Sequence, residues 1–211
     1  MNLLATGPTG ADIQLILAHG AGAPMTSPFM DAIAGLLAQR DIRVTRFEFA
    51  YMAARREGAR KPPPKAERLV AEYRAAVEAV SRQLGAKQRL FIGGKSMGGR
   101  VASLIAGDLS AERVISGCIC LGYPFHPPGR PDRLRTKHLE TLVTPALVLQ
   151  GTRDMFGTVD DVAGYTLSSS ILVHWIEDGD HSFKPRASSG RTEAQNMAEA
   201  IAAAREFVAG L

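Results

Sequence analysis

Leu90-Phe-Ile-Gly-Gly-Lys-Ser96-Met-Gly-Gly-Arg-Val-Ala-Ser-Leu-Ile-Ala106 runs from a short apolar segment, through a serine set among glycines, into a helix-forming stretch. Its centre, Gly94-Lys95-Ser96-Met97-Gly98, has the form G-x-S-x-G. Where a strand turns directly into a helix, Cβ atoms on either side of the serine would collide, so the turn demands glycine. Such a turn lifts the serine hydroxyl above the sheet and sets it at the positive end of the helix. The pentapeptide alone is weakly specific; between a strand and a helix it marks a nucleophile. Gly94-Lys95-Ser96 also imitates the end of a phosphate-binding loop, but that motif needs a glycine where this chain has Arg89. The plainer alternative is a glycine turn whose serine only caps the helix.

A nucleophilic serine needs a base, because a free hydroxyl is scarcely ionised at neutral pH. On a strand–turn–helix nucleophile the partners follow in the order Ser, acid, His, each just beyond a later strand. Ala146-Leu-Val-Leu-Gln-Gly-Thr-Arg-Asp154 supplies the acid, and Ile171-Leu-Val-His-Trp-Ile-Glu-Asp-Gly-Asp-His181 supplies the base. Asp160, Asp178 and Asp180 compete for the acid. The last two share a loop with His181 and are poorly placed to face its ring. Among the other histidines, His174 lies within a strand and His138 at a helix start. His19 precedes a glycine turn, and His126 in a proline-rich loop would break the chain order. For the oxyanion of an acyl-transfer intermediate, the N–H of Met97 is one expected donor. The turn His19-Gly20-Ala21-Gly22 is the expected source of the second, Ala21 in preference to Gly22.

Outward from these motifs, β-rich apolar runs alternate with amphipathic stretches, the pattern of a mostly parallel sheet covered on both faces. Ile13–Ala18, Arg43–Phe49, Leu90–Gly93, Val114–Leu121, Ala146–Gln150 and Ile171–Ile176 read as strands, with an optional edge strand in the first ten residues. Ser27-Pro28 begins a helix with a cap and a proline. Leu69, Tyr73, Val77, Val80 and Leu84 mark an amphipathic helix that Gly85 can end, and Met197, Ile201, Ala204 and Val208 mark a closing helix. Arg55–Lys65 and Tyr123–Arg135 are proline-rich loops, each a possible binding-site wall. Cys118 and Cys120, two apart on one strand, read as small core residues and not as a disulfide.

A length of 211 residues suits one domain over 1–211. Apolar content of 45% and charged content of 22% are ordinary for a globular chain. Lysine plus arginine exceeds aspartate plus glutamate by four (25 − 21), too diffuse an excess for nucleic acid. No stretch reaches membrane-span length, and Met1-Asn-Leu-Leu-Ala-Thr-Gly lacks a signal-peptide start, so a cytoplasmic location and no membrane partner are expected.

Seven segments together resemble a known group: His19-Gly-Ala-Gly, Arg46-Phe-Glu-Phe-Ala-Tyr-Met, Lys61-Pro-Pro-Pro, Gly93-Gly-Lys-Ser-Met-Gly-Gly-Arg, Cys120-Leu-Gly-Tyr-Pro-Phe-His-Pro-Pro-Gly, Gln150-Gly-Thr-Arg-Asp and Asp178-Gly-Asp-His-Ser-Phe-Lys. The resemblance is to the small α/β-hydrolases related to dienelactone hydrolases, a group that includes a testis-expressed protein and a subunit of the nonspecific-lethal histone acetyltransferase complex. It implies an α/β-hydrolase fold of about six to seven strands without a large cap, and a Ser96–His181–Asp154 triad. Dienelactone hydrolases use cysteine as nucleophile, so their substrate does not carry over to a chain with serine. The expected activity is hydrolysis of small carboxylic esters, lactones or thioesters without metal or organic cofactor. The chromatin-associated relative makes an interaction protein that keeps the fold the rival reading. Lys95, Arg153 and His126 are candidate substrate contacts; Lys95 and Arg153, with Lys184, Arg186, Arg100, Arg130, Arg133 and Arg135, form a basic rim that would favour an anionic substrate.

Overall fold

The computed structural model describes residues 1–58 and 62–211; Lys61 of the Lys-Pro-Pro-Pro segment lies outside them. Seven strands form one sheet: β1 (Leu3–Thr6), β2 (Ile13–Ala18), β3 (Ile42–Phe47), β4 (Arg89–Lys95), β5 (Gly117–Leu121), β6 (Ala146–Gly151) and β7 (Ile171–Ile176). Their order is β1-β3-β2-β4-β5-β6-β7, and every pairing is parallel except β1 with β3. The helices are α1 (Pro28–Ala38), α2 (Ala50–Arg56), α3 (Val70–Ser81), α4 (Met97–Ala111), α5 (Val159–Ala163) and α6 (Glu193–Ala209).

The strands are apolar on both sides because both sides are covered. Ile16 and Ala18 of β2, Leu90 and Ile92 of β4, and Cys118 and Cys120 of β5 join one core cluster with α3 and α4. Ile13, Leu15 and Leu17, with Phe91, Ile119 and Leu121, join the other, under α1 and α6. Each large side chain that leaves water in this way stabilises the fold by about 1.5–3 kcal/mol. The two cysteines are free and buried, their sulfurs 3.9 Å apart. Tyr73, expected on the inner face of its helix, is fully buried, and its hydroxyl donates to the Gly93 carbonyl at 2.6 Å and accepts from the Gly93 N–H at 2.9 Å.

Several expectations need correction. Ser27 stands at the N-cap of α1, but its side chain forms no capping hydrogen bond; Pro28 at the first helical position sets the start. α3 ends at Ser81 and not at Gly85, whose N–H is taken by the Gln88 side chain. The fifth strand starts at Gly117, later than Val114. Arg55 and Arg56 belong to the last turn of α2, so the proline-rich loop begins after them. Between β5 and β6 the only regular element is a 3₁₀ turn, Lys137–Leu139, which leaves no room for a cap.

The strand order also locates the site. From β2 the chain moves outward to β3, then crosses back to β4 on the other side of β2 and continues to β7. Strands β2 and β4 therefore flank the point where the connections reverse, and ligands of open α/β sheets bind outside the carboxyl ends of strands at that point. The carboxyl ends of β2 and β4 lead into His19-Gly20-Ala21 and Ser96.

Candidate active site

Ser96 occupies the residue between β4 and α4 at φ 51°, ψ −114°, a conformation that costs a side-chain-bearing residue on the order of 1–3 kcal/mol. Its neighbours show why the turn is glycine-rich. A Cβ on Gly94 would lie 2.5 Å from the carbonyl carbon of Gly98, and one on Gly98 would lie 2.5 Å from the Ala18 carbonyl oxygen. The Ser96 N–H is anchored to the Leu121 carbonyl at 3.0 Å. Among the described residues its hydroxyl forms no hydrogen bond; nucleophile–base contacts commonly close only when substrate is bound.

The candidate acid and base are joined directly. His181 Nδ1 lies 2.7 Å from Asp154 Oδ2. Asp154 is fully buried, and its carboxylate accepts two further hydrogen bonds, from Gln150 Nε2 and from the Phe156 N–H, each at 2.9 Å. With Asp154 Oδ2 as acceptor, the imidazole hydrogen sits on Nδ1, leaving Nε2 to accept a proton. Burial holds the His181 pKa below the ordinary histidine value; the bond to Asp154 opposes that, and the charge of Lys95 adds to it. The competing aspartates are otherwise engaged. Asp178 pairs with Arg186 and Arg153, Asp180 accepts the N–H groups of Ser182 and Lys184, and Asp160 is exposed.

The expected oxyanion turn is clamped from behind. His19 is fully buried, and its Nε2 accepts the Phe49 N–H at 3.1 Å, which leaves the ring hydrogen on Nδ1. Nδ1 then donates to the Gly20 carbonyl at 2.7 Å. Burial lowers the His19 pKa, which favours this neutral form. From α2, the Tyr51 hydroxyl lies 3.2 Å from the Gly20 carbonyl and 3.3 Å from that of Ala21, and Arg55 Nη1 donates to Ala21 at 3.3 Å. Burial pushes the Tyr51 pKa up to about 12, so the hydroxyl stays a donor.

Two cavities meet at Ser96. The larger, about 580 Å³, is lined by Ser96, Met97, Arg100, Glu67, Arg135 and Pro64 among others. The smaller, about 370 Å³, is lined by Ser96, His181, Lys95, Phe29 and Met30 with the Gly20–Ala23 turn. Ala21 and Phe156 border both, whereas Gly22 borders only the smaller. Both proline-rich loops reach the larger cavity, one through Pro63, Pro64 and Lys65, the other through Pro124 and Arg135.

The three candidate substrate contacts sit differently from expectation. Lys95 lines the smaller cavity, but its ammonium is buried, donates to the His181 carbonyl and lies 5.4 Å from the Phe29 ring centre. Burial lowers its pKa to about 8, against the raising influence of Asp154 and Asp180. Arg153 borders neither cavity; it donates to the carbonyls of Asp178 and Lys184 and braces the histidine loop. His126 is buried away from both, with Nδ1 2.8 Å from the Pro127 carbonyl and Nε2 3.5 Å from Asp161. Sequence reading also missed Gln150, Phe156 and Tyr51. Gln150 and Asp154 stand four apart in the same motif, the one local signal; the other two reach the site only through the fold.

The sequence matches the family described as alpha/beta hydrolase domain over residues 11–209. In fold the chain is similar to a dienelactone hydrolase from Anabaena variabilis at 18% identity and TM-score 0.72, covering 99% of this chain and 90% of that one. It is also similar to an α/β serine hydrolase homologue from Coxiella burnetii, at 16% identity, TM-score 0.69 and coverage of 99% and 90%. A lidless α/β serine hydrolase from Xanthomonas campestris aligns at 19% identity and TM-score 0.69, covering 97% and 88%. Because the family match runs nearly from end to end over a seven-stranded sheet without a cap, the chain belongs to the α/β hydrolase domain family.

Proposed function

We propose that the protein is a serine hydrolase that cleaves small carboxylic esters, lactones or thioesters through an acyl-enzyme on Ser96. The observation that carries this reading is the 2.7 Å contact between His181 Nδ1 and buried Asp154, in a cleft that His181 and Ser96 both line. His181 Nε2 takes the Ser96 proton as Oγ attacks the substrate carbonyl. The N–H groups of Met97 and Ala21 take the oxyanion, and the leaving alcohol or thiol departs with the proton from His181. Water, deprotonated by the same imidazole, then releases the acid and restores Ser96.

The rival is an interaction protein that keeps the hydrolase fold, as the resemblance to the chromatin-associated subunit implies. Binding alone gives no reason to bury an aspartate against an imidazole at the edge of a cavity. A panel of aryl esters and thioesters of varied acyl length, assayed with wild type and Ser96→Ala, tests the proposal. Turnover is expected in the wild type and a loss of about 10⁴-fold or more in Ser96→Ala. Equal turnover in the two would overturn it.

A further inference from the structure

Half of the basic rim expected from sequence is engaged by partners outside the larger cavity. The Lys95 ammonium is bonded inside, Arg153 and Arg186 share Asp178, and Arg130 pairs with Asp132. The larger cavity keeps three cations, Lys65, Arg100 and Arg135, against one carboxylate, Glu67. Glu67 pairs with Arg100 Nη2 at 2.5 Å, while Arg100 Nε is buried without a partner. The Arg135 guanidinium forms no hydrogen bond or ion pair among the described residues. Its backbone is nevertheless fixed, with the N–H on the Phe125 carbonyl at 2.8 Å and the carbonyl accepting the Tyr123 hydroxyl at 3.0 Å. Burial and then the charge of Arg100 lower the Arg135 pKa, while Tyr123 and Glu67 oppose them.

The cleft also has a direction. The base must reach the leaving oxygen or sulfur to protonate it, so the leaving group lies on the side of His181. His181 borders the smaller cavity and not the larger. The acyl portion therefore points into the larger cavity, toward Arg100 and Arg135.

Building on the hydrolase reading, we infer that the larger cavity is a carboxylate-binding acyl subsite, so that the enzyme prefers esters or thioesters whose acyl group carries a distal carboxylate, that is, half-esters of dicarboxylic acids. Arg135 makes the direct pair and Arg100 Nε the supporting contact. The products are a free dicarboxylate and an alcohol or thiol.

The test compares kcat/KM for the aryl half-ester of glutaric acid with that for the aryl ester of pentanoic acid, which replaces the distal carboxylate by methyl. The wild type should favour the glutaryl ester by about tenfold or more at low salt, the scale of a hydrogen-bonded charge pair, and less at high salt. Arg135→Met should collapse the ratio toward one, and Glu67→Gln, which removes the competing carboxylate, should raise it. A wild-type ratio near one, or a ratio indifferent to both substitutions, would overturn the subsite. Calorimetric titration of Ser96→Ala with glutarate separates this inference from the hydrolase reading. Glutarate binding that Arg135→Met abolishes upholds the subsite even if no ester is turned over. Ester turnover with no glutarate binding leaves the hydrolase standing and removes the subsite.

Discussion

Ser96 and His181 face the same cleft but are held there by different means. Ser96 is placed by its backbone: a positive-φ turn, an anchoring bond to Leu121 and glycine packing so close that a Cβ would overlap main-chain atoms. Its hydroxyl is bonded to nothing among the described residues. His181 is placed by side chains, through a buried carboxylate that also holds Gln150 and the Phe156 N–H, and through the Lys95 ammonium on its carbonyl. The serine arm should therefore fail when volume is added to its turn, and the histidine arm when a proton or a hydrogen-bonding atom changes.

The largest expected effect is on the histidine arm. Asp154→Asn keeps the shape but offers an amide where the imidazole needs an acceptor, and kcat should fall by about 10⁴-fold. Asp178→Asn and Asp180→Asn, whose carboxylates hold loop groups and not the ring, should lower kcat far less. Steady-state kinetics on the three variants break the comparison if that order is reversed.

On the serine arm, Gly98→Ala should destabilise the fold by about 1–3 kcal/mol or more, because the added methyl meets the Ala18 and His19 carbonyls at 2.5 and 2.6 Å. Gly22→Ala, in the proposed oxyanion turn, meets no atom within 4 Å and should unfold close to wild type. Denaturant midpoints check both. Equal midpoints for Gly98→Ala and wild type would mean that the turn is looser than its packing shows.

The smallest effect is a shift in pH dependence. Only neutral His181 can accept the serine proton, so activity is lost as pH falls through its folded-state pKa. Burial lowers that pKa, so the acid limb of kcat/KM should have its midpoint below the unperturbed ~6.5. Lys95→Met removes a charge that adds to the lowering and should move the limb upward. A wild-type midpoint above 6.5 would contradict the buried setting of the ring.

The central strands and the serine turn were legible because they bury both faces and because the steric demand of the turn is written in adjacent glycines. α2 was not, since Met52 is its single buried residue and one apolar position has no period. α5 spans only five residues, too few for any periodicity to appear. Ser96, Asp154 and His181 could be proposed from position alone, each beyond the end of a strand. Arg153 and His126, which border neither cavity, and Lys95, which borders the smaller one with its ammonium already bonded, share a reason: sequence displays a charge or a ring without its partner. The Lys95 ammonium turns inward to a carbonyl in the histidine loop, Arg153 to Asp178, and His126 to Pro127 and Asp161. Tyr51 and Arg55 hold the carbonyls of the Gly20–Ala21 turn from about thirty residues away, a relation created only by the path of the sheet.

The central claim is that Ser96 is a nucleophile activated by His181. Its most direct test is reaction with a fluorophosphonate, read by intact mass and peptide mapping on wild type, Ser96→Ala and His181→Ala. The account predicts a single adduct on Ser96 in the wild type, none in Ser96→Ala, and strongly slowed labelling in His181→Ala. A wild-type protein left unmodified at Ser96, or labelled there equally fast without His181, would contradict it.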